Sequence, residues 1–337
     1  MKIINVGVIG LGRLGQVHAQ AYRSLKNVNL YSICDISDRR LSRTAKKYRV
    51  KKTYHDYREM LENSKIDAVS LCLPNYLYHP TAIAAAEMGK HIFVEKPLAR
   101  NSREAEEILK VVKKNNVKCA VGFSLRFDYR FRALKQILLN GSIGKVKSAS
   151  AGMFGSPFHG LVPKWLFDRE KIGGGVLIDL GCHMIDLMRW YFGNPSSIFA
   201  SLKYLSDLDM EDQATIILDF NGTNAIIQTG WFTFGEFFHR VELHGTERIA
   251  SSFDFADKEL QMTRKLLKAS VGKVIENFGN LSYYSGDPRI FRELDHFTKC
   301  LRENRDTFTS GKDALASLKI IEAAYESDKK GCFIQIK

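Results

Sequence analysis

Residues 3–15 read IINVGVIGLGRLG, an apolar run that passes directly into the glycine pattern G-x-G-x-x-G. The run Ile3–Ile9 predicts a β-strand, and the amphipathic pattern of Leu14–Ser24 predicts a helix. In such a strand–turn–helix the first glycine allows a tight turn, the second lets the backbone approach a pyrophosphate, and the third lets the helix pack on the sheet. The helix N-terminus adds free N–H groups and the positive end of its dipole. We therefore predict that a dinucleotide is bound by Gly10, Gly12, Arg13, Leu14 and Gly15.

Asp35 stands at the end of the next predicted strand, twenty residues beyond Gly15. A carboxylate at this position accepts hydrogen bonds from the adenosine ribose hydroxyls of NAD and repels the 2′-phosphate of NADP. Arg39 and Arg40 follow it and favour the opposite choice, because their guanidinium groups can bind that phosphate. We predict that Asp35, Arg39 and Arg40 surround the adenosine ribose and that NAD(H) is preferred over NADP(H).

Short apolar runs alternate with helical patterns through residues 1–122, which predicts an α/β fold, a Rossmann domain with a doubly wound parallel sheet. The predicted strands are Ile3–Ile9, Leu30–Cys34, Ala68–Leu73, His91–Val94 and Lys118–Val121. The predicted helices are Leu14–Ser24, Arg39–Lys47, Tyr57–Asn63, Pro80–Met88 and Ser102–Asn115. We interpret residues 1–122 as a dinucleotide-binding domain.

Beyond residue 122, strands follow one another directly and helices group around them, as in an α+β domain. Asn221-Gly222, between two of the strands, indicates a hairpin. The predicted strands are Lys145–Met153, Ile198–Tyr204, Ala214–Phe220, Asn224–Phe232, Phe238–His244 and Arg248–Phe253. The predicted helices are Phe131–Leu139, Val176–Tyr191, Arg289–Glu303 and Asp313–Tyr325. We predict that residues 123–337 form a domain for substrate binding and oligomerisation.

The 337 residues include 50 Lys and Arg against 37 Asp and Glu, a formal net charge of +13. Eight of the fourteen residues in Arg39–Lys52 are basic, which fits either a solvated helix face or attraction of an anionic ligand, and no nucleic-acid-binding motif accompanies them. No apolar run reaches the roughly 18 residues of a membrane span. Six widely spaced cysteines fit reduced cytoplasmic thiols better than disulfides or a zinc site. We expect a cytoplasmic protein without a nucleic-acid, membrane or metal partner.

Two further segments carry groups suited to proton and charge transfer. Glu95-Lys96-Pro97 follows the strand His91–Val94, so Lys96 lies at the carboxyl end of a parallel strand, where such sheets bind ligands. Residues 173–186 read GGGVLIDLGCHMID, which places Asp179 and His183 four residues apart on one helix face, with Asp186 three residues further on. Each group alone has an ordinary structural explanation, but beside a dinucleotide fold the combination indicates catalysis.

With these motifs the chain resembles the glucose–fructose oxidoreductase/inositol dehydrogenase/MocA family over essentially its whole length. The resemblance rests on the glycine pattern, Pro74-Asn75, Glu95-Lys96-Pro97, residues 122–128 and residues 173–186. It implies a C-terminal domain with a large, mostly antiparallel open sheet, and a Lys96–Pro97 bond that is often cis. It also implies a pyridine-nucleotide oxidoreductase that acts on a sugar, a cyclitol or a related polyol.

The resemblance also supplies site residues. Lys96, Asp179 and His183 match the catalytic Lys, Asp and His of the family. Cofactor contacts are expected from Pro74, Asn75, His79, Glu95 and Lys96. Substrate contacts are expected from Arg126, Trp165, Asp179, His183 and Tyr283.

The expected reaction transfers hydride from a secondary alcohol to the nicotinamide while the hydroxyl proton leaves. We assign His183, as an imidazole that titrates near neutrality, to the general base. Lys96 would donate to the developing alkoxide, and Asp179 would orient Lys96 or His183. Two alternatives stay open: a glycoside hydrolase that retains NAD and uses transient oxidation, and a non-catalytic NAD-binding regulator.

Both faces of the predicted strand near Ala225–Phe234 carry large apolar groups, because side chains alternate along a strand. Ile226, Phe232 and Phe234 occupy one face, and Ile227 and Trp231 the other. If helices cover one face, the other would leave Trp and Ile on an open surface, and monomers rarely expose apolar patches beyond a few hundred Å². We predict a homodimer or homotetramer assembled through the C-terminal sheet, unless residues 258–278 cover that face.

Overall fold

The computed structural model describes residues 2–155, 163–232, 238–255 and 287–336. Tyr283 and residues 258–278, to which the sequence assigns a substrate contact and a possible cover of the sheet, lie outside these ranges. Within the described ranges, no helix combines the length and the apolar character needed to cross a lipid bilayer.

The N-terminal unit is the predicted parallel sheet with helices. Its strands are β1 (Ile4–Ile9), β2 (Val28–Cys34), β3 (Lys52–Tyr54), β4 (Ala68–Leu71), β5 (His91–Val94) and β6 (Cys119–Val121). Its helices are α1 (Arg13–Ser24), α2 (Asp38–Tyr48), α3 (Tyr57–Leu61), α4 (Tyr78–Glu87) and α5 (Ser102–Lys114). The strand β3 was not predicted, because three residues at a sheet edge with little burial leave no apolar run.

The strand order β3-β2-β1-β4-β5-β6 is that of a doubly wound sheet, and every pair is parallel. β4 and the last four residues of β1 are fully buried, as expected for strands with helices on both faces. The order reverses between β1 and β4, so the loops leaving their carboxyl ends diverge and open a crevice. The fold class predicted for this half is confirmed.

The C-terminal unit is built on a second sheet. Its strands are β7 (Val146–Phe154), β8 (Ser197–Lys203), β9 (Gln213–Asp219), β10 (Asn224–Gly230), β11 (Phe238–Gly245), β12 (Ile249–Ser251) and β13 (Ile334–Gln335). Its helices are α6 (Tyr129–Leu139), α7 (Arg169–Ile172), α8 (Cys182–Phe192), α9 (Pro288–Glu303) and α10 (Gly311–Lys330). The order is β12-β11-β7-β10-β9-β8-β13, with β7 and β10 parallel and the other pairs antiparallel.

The Asn221-Gly222 hairpin forms as predicted between β9 and β10. Asn221 has a φ of 55° and Gly222 a φ of 112°, and two positive φ values are what a tight two-residue hairpin turn needs. Together with the strand pairings, this hairpin confirms the mostly antiparallel sheet that the family resemblance implies.

The faces of β10 differ from the expectation in one respect. Ala225, Ile227 and Trp231 are buried on the inner face, whereas Ile226 is 43% and Phe232 50% exposed. The idea that Trp231 lies on an open surface is therefore wrong. Trp231 lies on the face that the helices of its own domain cover, and its indole N–H donates a hydrogen bond to Asp179.

The predicted helix Val176–Tyr191 is divided in two. Leu177–Gly181 forms a π-helical turn and α8 continues from Cys182. A π turn is wider than an α turn and often accompanies a functional site, so strict α-helical spacing does not apply across Asp179.

The last two helices return toward the N-terminal unit. α9 packs on α1, and the ring of Phe297 meets Phe93 of β5 with ring centres 5.6 Å apart. α10 packs against α5 as well as α8. α9 thereby adds buried side chains to the core of the first unit. The division of the chain into two domains at residue 122 stays a prediction.

Candidate active site

The glycine loop joins β1 to α1 at the crevice. Gly10 has a φ of +88°, and a Cβ there would lie 2.3 Å from the carbonyl oxygen of Cys72. A Cβ on Gly15 would lie 1.8 Å from the carbonyl oxygen of Gly10, so the helix reaches this position only without one. Gly12 faces open space, with no atom within 4 Å of a Cβ placed there. The loop and the helix N-terminus therefore fit a dinucleotide pyrophosphate beside Gly12.

Asp35 lies directly under the glycine loop. Its Oδ2 accepts the backbone N–H of Leu11 at 2.7 Å, and its Oδ1 accepts that of Ser37 at 2.9 Å. A guanidinium nitrogen of Arg40 lies 3.6 Å from Oδ2. The carboxylate thus fixes the loop against the start of α2, and residues on both sides of this contact line a groove. The groove is lined by residues that include Gly12, Arg13, Ser37, Arg39, Arg40 and Arg43.

Two residues predicted to contact the cofactor have protein partners. Asn75, in the short turn after Pro74, is buried and donates its Nδ2 to the carbonyl oxygen of Ile172 at 2.8 Å. The Nε2 atom of His79 lies 2.8 Å from a carboxylate oxygen of Glu107 on α5. Asn75 joins the crevice of the first unit to the end of α7 in the second, which shapes the wall of the site.

Glu95 points away from the crevice into the protein. It is buried, and its Oε1 lies 2.8 Å from Nε2 of His18 on α1. Its neighbour Lys96 points toward the second unit, as expected when consecutive side chains alternate. The Lys96–Pro97 bond is cis, in agreement with the family resemblance.

Lys96 and Asp179 meet across the two units. The Lys96 Nζ atom is 2.9 Å from the Asp179 Oδ1 atom and 2.6 Å from the Asp179 carbonyl oxygen. The indole Nε1 of Trp231 donates to the other carboxylate oxygen at 3.2 Å. Both carboxylate oxygens of Asp179 are therefore held by donors, which fixes the carboxylate as a support for the ammonium group.

Glu211, which the sequence did not single out, holds the turn before Asp179. Its Oε1 accepts the backbone N–H groups of Gly175 and Leu177 at 3.0 Å each and the hydroxyl of Tyr325 at 2.8 Å. A Cβ on Gly175 would lie 2.0 Å from the carbonyl oxygen of Glu211. The close approach explains why glycine is needed there, and a buried acid 34 residues from Leu177 leaves no local pattern in the sequence.

His183 lies on the first turn of α8 and is buried. Burial, followed by the positive charge of Lys96, lowers the pKa of His183 well below its ordinary value of 6.5. Its Nδ1 is buried and has no hydrogen-bond partner among the residues that the structure describes. The ring of Phe123 meets it edge-on with centres 6.3 Å apart. The imidazole is therefore neutral at pH 7, and the expectation that it titrates near neutrality is wrong because burial disfavours its charged form.

Arg126 and Asp186 form an ion pair inside the protein. Two guanidinium nitrogens of Arg126 lie 2.7 and 2.6 Å from the two carboxylate oxygens of Asp186, and a third donates to the carbonyl oxygen of Phe308. Both side chains are buried. Each guanidinium nitrogen thus has a protein partner, and the pair ties the segment after β6 to α8.

Trp165 is half-buried in the short turn Lys164–Phe167, eight residues before the glycines that precede Asp179. Within the described ranges, no three His, Cys, Asp or Glu side chains are grouped as metal ligands.

Two family models match the chain. Residues 4–123 match the oxidoreductase family with an NAD-binding Rossmann fold, and residues 131–251 match the GFO/IDH/MocA C-terminal domain. The chain is 30% identical to an uncharacterised oxidoreductase of Bacillus subtilis, YrbE, across 100% of this chain and 97% of that protein. It is 29% identical to myo-inositol 2-dehydrogenase of Thermotoga maritima, across 96% of both proteins.

Solved structures share the fold. A probable dehydrogenase from Thermotoga maritima matches with a TM-score of 0.83 and 24% identity, across 99% of both chains. Levoglucosan dehydrogenase in complex with NADH and L-sorbose matches with a TM-score of 0.84 and 24% identity, across 100% of both chains.

Substitutions in the glycine loop at residues 10–15 separate an effect on packing from an effect on ligand binding. Gly15→Ala should lower the free energy of unfolding by about 1–3 kcal/mol or more, because the added methyl overlaps a backbone carbonyl. Gly12→Ala should leave stability within about 0.5 kcal/mol of the wild type and should weaken NADH binding, because the methyl enters the open space of the loop. Urea denaturation and NADH fluorescence titration measure the two effects. Equal NADH affinity in Gly12→Ala and the wild type would contradict the placement of the pyrophosphate.

Proposed function

The chain belongs to the GFO/IDH/MocA oxidoreductase family, and from this premise we propose that it interconverts a secondary alcohol and a ketone on a sugar, cyclitol or related polyol, using a nicotinamide dinucleotide. The observation that carries the proposal is the Lys96–Asp179 pair, 2.9 Å apart, which lies at the carboxyl end of β5, on the same edge of the sheet as the glycine loop that follows β1. A positioned ammonium group next to a dinucleotide crevice suits a reaction in which charge develops on a substrate oxygen.

The dinucleotide would be held by the glycine loop, the N-terminus of α1 and the groove between α1 and α2. When bound, its nicotinamide supplies the hydride acceptor or donor. Lys96 would lie on the nicotinamide side of the crevice, because ligands of open parallel sheets lie outside the carboxyl ends of the strands and Lys96 follows β5.

Lys96 donates a hydrogen bond to the substrate oxygen and stabilises the alkoxide as the hydroxyl proton leaves. Asp179 holds the ammonium group in place, and the N–H of Trp231 holds Asp179. Because both oxygens of Asp179 are occupied, this carboxylate serves as an orienting group and not as the base.

His183 accepts the hydroxyl proton. Its lowered pKa keeps the ring in the neutral, accepting form at pH 7, and Lys96 assists because an adjacent cation lowers the proton affinity of the substrate oxygen. Arg126 receives a structural role, since its guanidinium is bound by Asp186 and the Phe308 carbonyl. Trp165 and Tyr283 stay proposals as contacts for substrate hydroxyls.

We infer a preference for NAD(H) over NADP(H). Asp35 places a negative charge beside the ribose position, and the nearest guanidinium, of Arg40, lies 3.6 Å from that carboxylate. A 2′-phosphate that contacts Arg40 would therefore lie close to the negative charge of Asp35. The six cysteines are all free thiols, which supports a reducing compartment, and we place the protein in the cytoplasm.

An absorbance assay at 340 nm with aldoses, cyclitols and uronates, each with NAD⁺ and NADP⁺, tests the function. We expect a net change in nicotinamide absorbance, larger with NAD⁺, and a loss of about 10²-fold or more in kcat for Lys96→Ala with NADH affinity retained. Lys110→Ala, at an exposed lysine of α5, is the matched control and should behave as wild type. More than about a tenth of wild-type kcat in Lys96→Ala would contradict the role.

The same assay separates the alternatives. Cleavage of a glycoside with no net absorbance change would favour the NAD-retaining hydrolase, and NADH binding without turnover of any substrate would favour the regulator. The Lys96–Asp179 pair supports the redox reaction. Relatives that are named as dehydrogenases support it as well.

We also infer a homodimer or homotetramer assembled through the open face of the second sheet. Phe199, Ile217 and Ile226 are cross-strand neighbours on that face, and the exposed ring of Phe232 packs on Phe154 with centres 5.6 Å apart. A second copy would bury this apolar row under two-fold symmetry.

Light scattering at micromolar concentration checks the assembly. We expect a mass of two or four times 38.3 kDa. Ile226→Lys should shift the mass toward the monomer because it places a charge in the apolar row, whereas Met88→Lys, at an exposed residue of the first unit, should not. A wild-type mass of a single chain would refute the prediction.

A further inference from the structure

A buried hydrogen-bonded chain runs beneath the site through three elements. The Oγ atom of Ser70 in β4 lies 2.7 Å from Nδ1 of His18, and Nε2 of His18 lies 2.8 Å from Oε1 of Glu95. Ser70 and His18 are fully buried and Glu95 is 5% exposed. The chain therefore connects α1, which carries the dinucleotide loop at its start, with the segment that leaves β5 at Lys96.

Glu95 also touches the backbone beside His183. A Cβ on Gly122 would lie 2.9 Å from the Glu95 Oε2 atom, so the carboxylate rests against the chain where β6 ends. The next residue, Phe123, packs edge-on against His183. One carboxylate thus lies between the backbone that presents Lys96 and the backbone that supports His183.

A second buried carboxyl group lies in this cluster and is uncharged. Glu293 of α9 is 1% exposed, and both its oxygens lack a hydrogen-bond partner among the described residues. Burial, and next the negative charge of Glu95, raises the pKa of Glu293 well above its ordinary value. Glu293 is therefore protonated and adds no negative charge to the cluster.

Simple packing does not explain a buried imidazole and carboxylate. Apolar side chains of similar volume fill a core at nearly equal or lower cost than a buried hydrogen-bonded polar pair. The pair instead joins the two parts of the site that must be aligned, since misplacement of a reacting group by about 1 Å can cost about 10²-fold in rate.

We propose that His18 and Glu95 are positioning residues: the hydrogen bond between them couples the helix that receives the dinucleotide to the backbone that presents Lys96. The proposal rests on the proposed function for its effect on rate. It goes beyond that function because neither side chain reaches the crevice.

Two amide substitutions of His18 test the roles of its two ring nitrogens separately. In His18→Gln the amide nitrogen takes the place of Nε2 and can still donate to Glu95. In His18→Asn the amide takes the place of Nδ1, so it contacts Ser70 but does not reach Glu95. His91→Asn, at the opposite end of β5, is the matched control, because its Nδ1 only accepts the backbone N–H of Lys118.

We expect His18→Asn to lose about 10- to 100-fold in kcat with NADH affinity close to that of the wild type, and His18→Gln to retain most turnover. A second measurement does not depend on turnover: the rate of reductive methylation of Lys96, followed by mass spectrometry of its peptide. This rate should rise in His18→Asn, because the ammonium group is no longer held at Asp179, and should be unchanged in His18→Gln and His91→Asn.

Equal losses in His18→Gln and His18→Asn, or an unchanged methylation rate in His18→Asn, would overturn the proposal and leave His18 a packing residue. If wild type turns over no polyol but the methylation rates differ as expected, the proposed function fails and the positioning role stands. Melting temperatures of all variants show whether a loss of rate follows from unfolding.

Discussion

The ion pair between Lys96 and Asp179 is the contact on which the candidate site depends. Its partners are 83 residues apart: Lys96 follows β5, and Asp179 lies in the π-helical turn of the second unit. The side chains are only 15% and 22% exposed, so their attraction is less screened by water than that of a surface pair. The pair forms only if β5 ends at the crevice and the glycine turn brings Asp179 toward it, and it therefore makes the placement of the two units part of the chemistry.

Supporting contacts limit the movement of each partner. Asp179 is fixed from behind by the indole of Trp231, and its turn is fixed by Glu211, which binds two backbone N–H groups. On the other side, Glu95 anchors the residue before the lysine through His18. Buried polar groups with satisfied hydrogen bonds favour one geometry over others, so these contacts hold the ammonium group where a substrate oxygen would develop charge.

Much of this arrangement was predictable because it is encoded locally. The G-x-G-x-x-G loop, the strand–helix alternation and the position of Lys96 after a strand all follow from short-range patterns, and the structure has the predicted elements within a few residues. The contacts of Glu211, His18 and Trp231 were not predictable, because they join residues that lie 34 to 114 positions apart. The pKa of His183 could not be predicted either, since it depends on burial and on the distant charge of Lys96.

In the proposed reaction Lys96 and Asp179 act as one unit, and a double-mutant cycle on kcat/KM tests this coupling most directly. The cycle compares Lys96→Ala, Asp179→Ala and the double variant with the wild type, on the best substrate of the assay. If each residue works through the other, the double variant should be no slower than the slower single variant, because groups that act together are strongly non-additive. Losses that multiply in the double variant would show independent roles and contradict the account.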